Sequence, residues 1–237
     1  MSSVGAKIAV REELTRDAIV ERALAVADAE GLDSVTVRRL GQEFGVTPMA
    51  LYWHVKNKEE LLDAMGDRML GGIAVGTPDS LPWHAKLRAA VDAIVAALRE
   101  HPTATSLALR RILACEEGRD LTEFVLGVLR GAGFDVTQSA DVARHALQTA
   151  VMLVANEAGA EPGAAEVRDA LLETKRKAIA RLPIERYPHL VEAAAALTDC
   201  EDSDGYYQFG VDLFIAGVRA QHAAARRSKA ASTTMGE

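Results

Sequence analysis

From Thr15 to Arg226, apolar residues recur three and four positions apart, and no stretch alternates polar and apolar with the period of two that a half-buried strand needs. Ala, Leu, Glu and Arg dominate the segments between Gly and Pro breaks, and all four favour helices. That periodicity confines the chain to an all-α fold in which each helix buries one stripe. At 237 residues it can enclose a sizeable core, as one large domain or two modest ones. No internal repeat is visible at a fixed period.

The totals exclude several classes. No run approaches the roughly 20 apolar residues of a membrane span. The opening "MSSVGAKIAVREEL" lacks an apolar core of signal-peptide length. A soluble, cytoplasmic protein without a membrane partner is expected. Cys115 and Cys200 stand far apart with no second metal-type ligand at short spacing, so they read as free thiols. The net charge of −7 argues against non-specific coating of nucleic acid, but a specific reader needs only a local basic rim.

Capping signals divide the first third finely. Thr15 caps a helix to Glu30, with Asp17 in its first turn and Gly31 as its stop. A second helix runs from about Thr36 to Phe44, burying Val37, Leu40 and Phe44, and Gly45 ends it. Thr47 and Pro48 open a third, ending near His54 or Val55. Asn57 caps a fourth, with Glu60 completing a pair that resembles a capping box. The loop "GGIAVGTPDSLP" at 71–82 is the expected domain boundary. Beyond it helices are expected near 82–100, 103–114, 119–131, 137–158, 165–181, 188–198 and 204–226. The expected organisation is a flexible arm over 1–13, a small helical domain over 14–71, a larger one over 72–226 and a disordered tail over 227–237.

Two short helices joined by a tight Gly-containing turn, behind a supporting helix, form a helix-turn-helix unit. The second helix of such a unit enters the DNA major groove by its N-terminal residues. Here Leu51 and Val55 fall on the inward face. Met49, Ala50, Tyr52 and Trp53 lie on the outer arc. A hydroxylated aromatic there can pack on a sugar or thymine methyl and bond a phosphate. Arg38, Arg39, His54, Lys56 and Lys58 supply a basic rim. A helical corner with a core tryptophan and a solvated lysine turn is the alternative reading of the same pattern.

The segment "LTRDAIVERALAVADAEGLDSVTVRRLGQEFGVTPMALYWHVKNKEELLDAM" closely resembles the N-terminal domain of TetR-family transcriptional repressors. "LYWHVKNKEELLDAM" is similar above all to the tetracycline-repressor branch. "RGAGFD" (130–135) and "YYQFGVDLFIAGVRAQ" (206–221) are compatible with that branch's ligand-binding and dimerisation core. The resemblance implies a ligand-responsive repressor: a homodimer on a palindromic double-stranded operator, released by a small-molecule effector. It also implies roles for single residues. Pro48, Met49 and Tyr52 would face base edges and sugars, and Arg38 would reach a base. Ala50, His54 and Lys58 would sit against phosphates, with Trp53 beside them.

The sequence departs from the tetracycline repressors in two ways. Pro48 and Ala50 stand where those repressors carry a glutamine and a threonine, which implies a different operator. The places of their metal-binding histidines hold apolar residues, near Ala74 and Leu107. The six histidines show no pair at metal-ligand spacing. No metal, no cofactor and no tetracycline chelate are therefore expected.

In the body, Gln148, Met152 and Asn156 fall at i, i+4 and i+8 and could line an effector cavity for a largely apolar ligand, or form a helix interface. Phe209, Leu213, Phe214 and Val218 form a stripe for a dimer partner, or else monomer core. The segments 165–181 and 204–226 are the expected four-helix interface. An all-α enzyme finds no support: no nucleophile elbow, phosphate-binding Gly loop or HExxH is present, and "DCEDSDG" (199–205) reads as capping. A ligand-carrying module with a vestigial head is the other rival, and the joint presence of Tyr52, His54 and Lys58 opposes it.

Overall fold

The computed structural model describes residues 14–156, 165–198 and 203–234. The arm expected over 1–13 lies outside them. Eleven α-helices and no strand occur among the described residues. They are α1 (Arg16–Glu30), α2 (Val37–Phe44), α3 (Pro48–Tyr52), α4 (Lys58–Gly71), α5 (Trp83–Arg99), α6 (Ser106–Arg111), α7 (Glu116–Gly131), α8 (Val136–Ala155), α9 (Ala165–Ala180), α10 (Pro188–Glu192) and α11 (Ser203–Thr234).

Local chemistry sets the boundaries of the head. Thr15 Oγ1 accepts from the Ala18 amide at 3.1 Å, and Thr36 Oγ1 accepts from the Arg39 amide at 3.0 Å. Gly45 adopts the left-handed conformation, φ 63°, that turns α2 into α3. Gly41 permits the close crossing of those helices, because a Cβ there would lie 3.0 Å from the Val46 carbonyl oxygen. Asn57 Oδ1 accepts from the Glu60 amide at 2.8 Å, while Glu60 Oε2 accepts from the Lys56 amide at 2.9 Å. One of the orphan donors at the start of α4, the Glu60 amide, and the amide just before its cap are thus satisfied by one pair of side chains.

A single core runs through head and body. Ile19, Leu24, Leu40 and Leu51 are fully buried in the head. Met65, Met69 and Leu70 on α4 continue that core into Leu87, Val91, Leu129 and Val151 of the body. Burying each such side chain contributes about 1.5–3 kcal/mol. Helix α4 packs on α1 on one side and on α6 and α7 on the other, α5, α7 and α8 pack together, and α11 lies against α5 and α8. The loop at 72–82 separates α4 from α5 without dividing the core.

Four elements differ from expectation. Helix α3 ends at Tyr52 rather than near Val55, because the Leu51 carbonyl takes both the His54 and Val55 amides, at 2.9 and 3.0 Å. The helix expected over 103–114 is a 3-10 turn at Pro102–Ala104 followed by the short α6. Cys115 then caps α7, its Sγ accepting from the Gly118 amide at 3.3 Å. Gly118 packs so tightly on Ile112 that a Cβ would stand 2.3 Å from its carbonyl oxygen. The helix expected over 188–198 stops at Glu192 and gives way to a 3-10 turn at Ala196–Thr198. Finally, α11 continues to Thr234, into the tail expected to be disordered. That segment is polar, but its Ala, Arg and Lys are strong helix formers.

Candidate nucleic-acid interface

The outer face of α3 is assembled by burial of its inner one. Leu51 and Val55 sit in the core at 0% and 1% exposure, which rolls Met49 (68%) and Tyr52 (46%) to the surface. Trp53, at the C-terminal end of α3, is 86% exposed and therefore not a core residue. Pro48 and Lys58 are also exposed, whereas Ala50 and His54 are half-buried. Thr47 occupies the N-cap without a side-chain capping bond, leaving its hydroxyl at the surface beside Pro48.

The two arginines of α2 separate sharply. Arg38 is exposed and makes no hydrogen bond or ion pair among the described residues. Arg39 is engaged: its Nη2 lies 2.6 Å from Glu30 Oε1, and Nη1 pairs with Glu43. Hydrogen bonds to Glu30 and Glu43 push the Arg39 pKa up, and the same contact with Arg39 lowers that of Glu30. Arg39 therefore braces α2 against α1 and does not belong to the basic rim. Glu43 also meets Arg22 at 3.4 Å, which ties α2 to α1 at a second point. What remains facing outward is Arg38, Lys56 and Lys58 around an apolar and aromatic centre.

Sequence reasoning missed the contacts that hold this head to the body. Asp63 and Asp67 sit one turn apart on α4. Arg110 Nη2 reaches Asp63 Oδ1 at 2.9 Å, and Arg111 Nε reaches Asp67 Oδ1 at 2.6 Å. The i,i+4 carboxylates are visible in the sequence as a common face. Their partners on α6, more than 40 positions away, are not. At the far end of α1, Asp28 takes His101 Nδ1 at 2.8 Å and the Thr103 hydroxyl at 3.2 Å.

The body places its expected site residues differently. Gln148, Met152 and Asn156 are all exposed on α8, with Met152 64% exposed. Asn156 Nδ2 donates to the Met152 carbonyl at 2.8 Å and so closes the helix end. On α11, Phe209 and Leu213 are 66% and 60% exposed. Phe214 is half-buried, and Val218 belongs to the subunit core. The α11 stripe thus divides between two environments. Helix α11 packs on α5 and α8, whereas α9 packs on α10 and the 3-10 turn after it. Gly210 lets α8 and α11 approach, since a Cβ there would stand 2.4 Å from Leu153 Cδ2. Between these helices runs a groove of about 370 Å³ lined in part by His145, Thr149, Leu213 and Phe214.

Among the described residues, no group of three or more His, Cys, Asp or Glu is placed to hold a metal, and no helix is long and apolar enough to cross a membrane. A family model described as bacterial regulatory proteins, tetR family, matches residues 19–65. A second, for the tetracyclin repressor-like C-terminal domain, matches residues 77–222. The chain belongs to the TetR family. The regulator is 31% identical over 121 residues to an HTH-type transcriptional regulator of Saccharopolyspora erythraea, covering 51% of each chain. Over 58 residues it is 45% identical to the tetracycline repressor protein class C of Escherichia coli, 24% of this chain and 26% of that one. It therefore spans about half the length of the first curated relative and a quarter of the second.

Solved structures match far more of the regulator. The Streptomyces coelicolor TetR family protein ActR in complex with actinorhodin superposes with a TM-score of 0.71 at 29% identity, covering 88% of this chain and 98% of that one. A possible TetR family regulator from Streptomyces coelicolor A3(2) gives 0.72 at 28% identity, covering 86% and 98%. The family and these relatives regulate transcription and are not enzymes. The fold is thus an N-terminal helix-turn-helix domain followed by a larger helical domain.

Proposed function

We propose that the regulator is a homodimeric repressor that binds a palindromic operator and is released by a small-molecule effector. The observation that carries the reading is the outer face of α3: Met49, Tyr52 and Trp53 exposed over buried Leu51 and Val55, with unpaired Arg38 beside them. Arg38 can bond a guanine edge in bidentate fashion, and Tyr52 can pack on sugars or thymine methyls. Lys58 and His54 face phosphates, and Pro48 and Met49 meet the bases through apolar contact.

The exposed surface spanning α8 and α11, with Phe209, Leu213 and Met152, supports a two-fold interface, since a monomer gains nothing by leaving it wet. Two heads can then read half-sites about 34–36 Å apart. A ligand that shifts α6 acts on α4 through Arg110–Asp63 and Arg111–Asp67, and α4 carries the displacement to the heads. The ActR complex with actinorhodin supports a small-molecule effector.

Selection of genomic fragments on the purified protein at two salt concentrations tests the reading. Fragments sharing a palindrome should survive the higher salt, while non-specific binding declines with a log–log slope of about −0.9 per neutralised phosphate. Equal retention of all DNA would remove the specific-reader function. Transcription from a selected promoter, with and without the protein, then separates repression from activation.

A further inference from the structure

We propose that the cleft between the N-terminal end of α5 and the second half of α11 binds a small planar aromatic anion. Its carboxylate is held by Arg219 and His84, and its rings lie against Trp83 and His222. The cleft is open to solvent and offers about 500 Å³, room for a small molecule. Trp83, His84, Arg219 and His222 line it, and Ala216 and Ala220 leave its α11 side open.

Its aromatic wall is already built. The His222 ring stacks on Phe134 with centroids 4.7 Å apart, and its Nε2 donates to the Ala132 carbonyl at 3.0 Å. Trp83 meets His222 edge-on at 5.1 Å and Phe134 at 5.3 Å. These contacts fix the ring positions, so a flat ligand stacking there orders no mobile side chain.

The charge of the lining selects the ligand. Arg219 is exposed and makes no ion pair or hydrogen bond among the described residues, and His84 makes no hydrogen bond there. No carboxylate lines the cleft, although the chain as a whole is acidic. The clefts on either side, which share Trp83 or His222, carry Glu123 and Asp141 respectively. Trp83 and His84 also open a 17-residue helix whose Pro82 cap provides no side-chain bond, so the positive end of α5 faces the same side. A guanidinium, an imidazole and a helix N-terminus around a ring-lined cleft fit an aromatic carboxylate.

The inference rests on the reading that the body takes a small molecule, but its test needs no DNA. The full-length protein is titrated with 2-naphthoate and with the neutral 2-naphthamide by calorimetry. The two tryptophan indole N–H signals are followed by NMR and assigned with Trp53→Phe. Binding of one naphthoate per chain, with movement of the Trp83 signal and not that of Trp53, is expected. The amide should bind at least about tenfold more weakly, and Arg219→Ala should lose a similar factor while Arg181→Ala loses none. Circular dichroism checks that both variants fold.

No binding at millimolar naphthoate overturns the site. So does binding that ignores Arg219→Ala or leaves the Trp83 signal in place. Release of operator DNA is measured separately. Naphthoate that binds through Arg219 without releasing DNA upholds the site and denies it the effector role. Release that survives Arg219→Ala upholds the effector reading and overturns this site.

Discussion

His101 Nδ1 lies 2.8 Å from Asp28 Oδ2, joining the first residue beyond the α5 cap to the last turns of α1, 73 positions earlier. The hydrogen bond to Asp28 raises the His101 pKa against the opposing effect of burial, and Asp28, Glu100 and Glu21 add charge in the same direction. A folded-state pKa raised above the unfolded value contributes stability that is fully present below about pH 6.5 and lost as pH rises through the folded value. Thermal stability of the wild type should therefore fall relative to Asp28→Asn as pH is raised from about 6 to 8. Because the pair is partly exposed, the difference should be at most about 1 kcal/mol. Parallel melting curves at several pH values measure it, and a constant gap between the two proteins would contradict the assignment.

Adjacent arginines on α2 should fail in different ways. Arg38→Ala should cost about 1–3 kcal/mol of operator discrimination and leave the melting temperature unchanged. Arg39→Ala removes the bridge from Glu30 to Glu43 and should lower stability with little change in base preference. Melting curves and competition binding on single-base operator variants separate the two effects.

Glycine 41 holds the angle between α2 and α3. A Cβ 3.0 Å from the Val46 carbonyl meets backbone, which cannot swing aside as a side chain can. Gly41→Ala should cost about 1–3 kcal/mol of stability and reduce operator affinity more than Gly45→Ala. The latter adds a strained left-handed residue, at about 1–2 kcal/mol, but meets no neighbour within 4 Å. Chemical denaturation and operator titration of both variants provide the comparison.

Substitutions along α11 should divide by face. Phe209→Asp and Leu213→Asp lie on the exposed surface and should yield folded monomers with operator affinity reduced at least about a hundredfold. Val218→Asp places a charge in the subunit core and should unfold the chain. Light scattering with circular dichroism distinguishes the outcomes. Folded dimers from both Phe209→Asp and Leu213→Asp would place the interface elsewhere.

The head was legible because its determinants are local. Capping side chains act three residues away, Gly45 supplies its own φ, and the phase of Leu51 and Val55 fixes which side of α3 faces out. The sequence by itself therefore determined the all-helical class and the outward side of Met49 and Tyr52, while the helix-turn-helix rested on the family resemblance and only the structure took Trp53 out of the core. Residue type and spacing did not separate Arg38 from Arg39, only the family resemblance singled out Arg38, and the approach of Glu30 and Glu43 commits Arg39 to a structural role.

The body was legible as helices and not as surfaces. A stripe of Gln148, Met152 and Asn156 is the same pattern whether it lines a cavity or faces solvent. Likewise, Phe209 and Val218 read alike until α8 covers one side of α11. Tertiary structure alone put Val218 in the core and Phe209 at the surface, and made the Asp28–His101 and Asp67–Arg111 links. Periodicity reports that a helix has an apolar face, but which neighbour covers it is settled by packing between elements far apart in the chain.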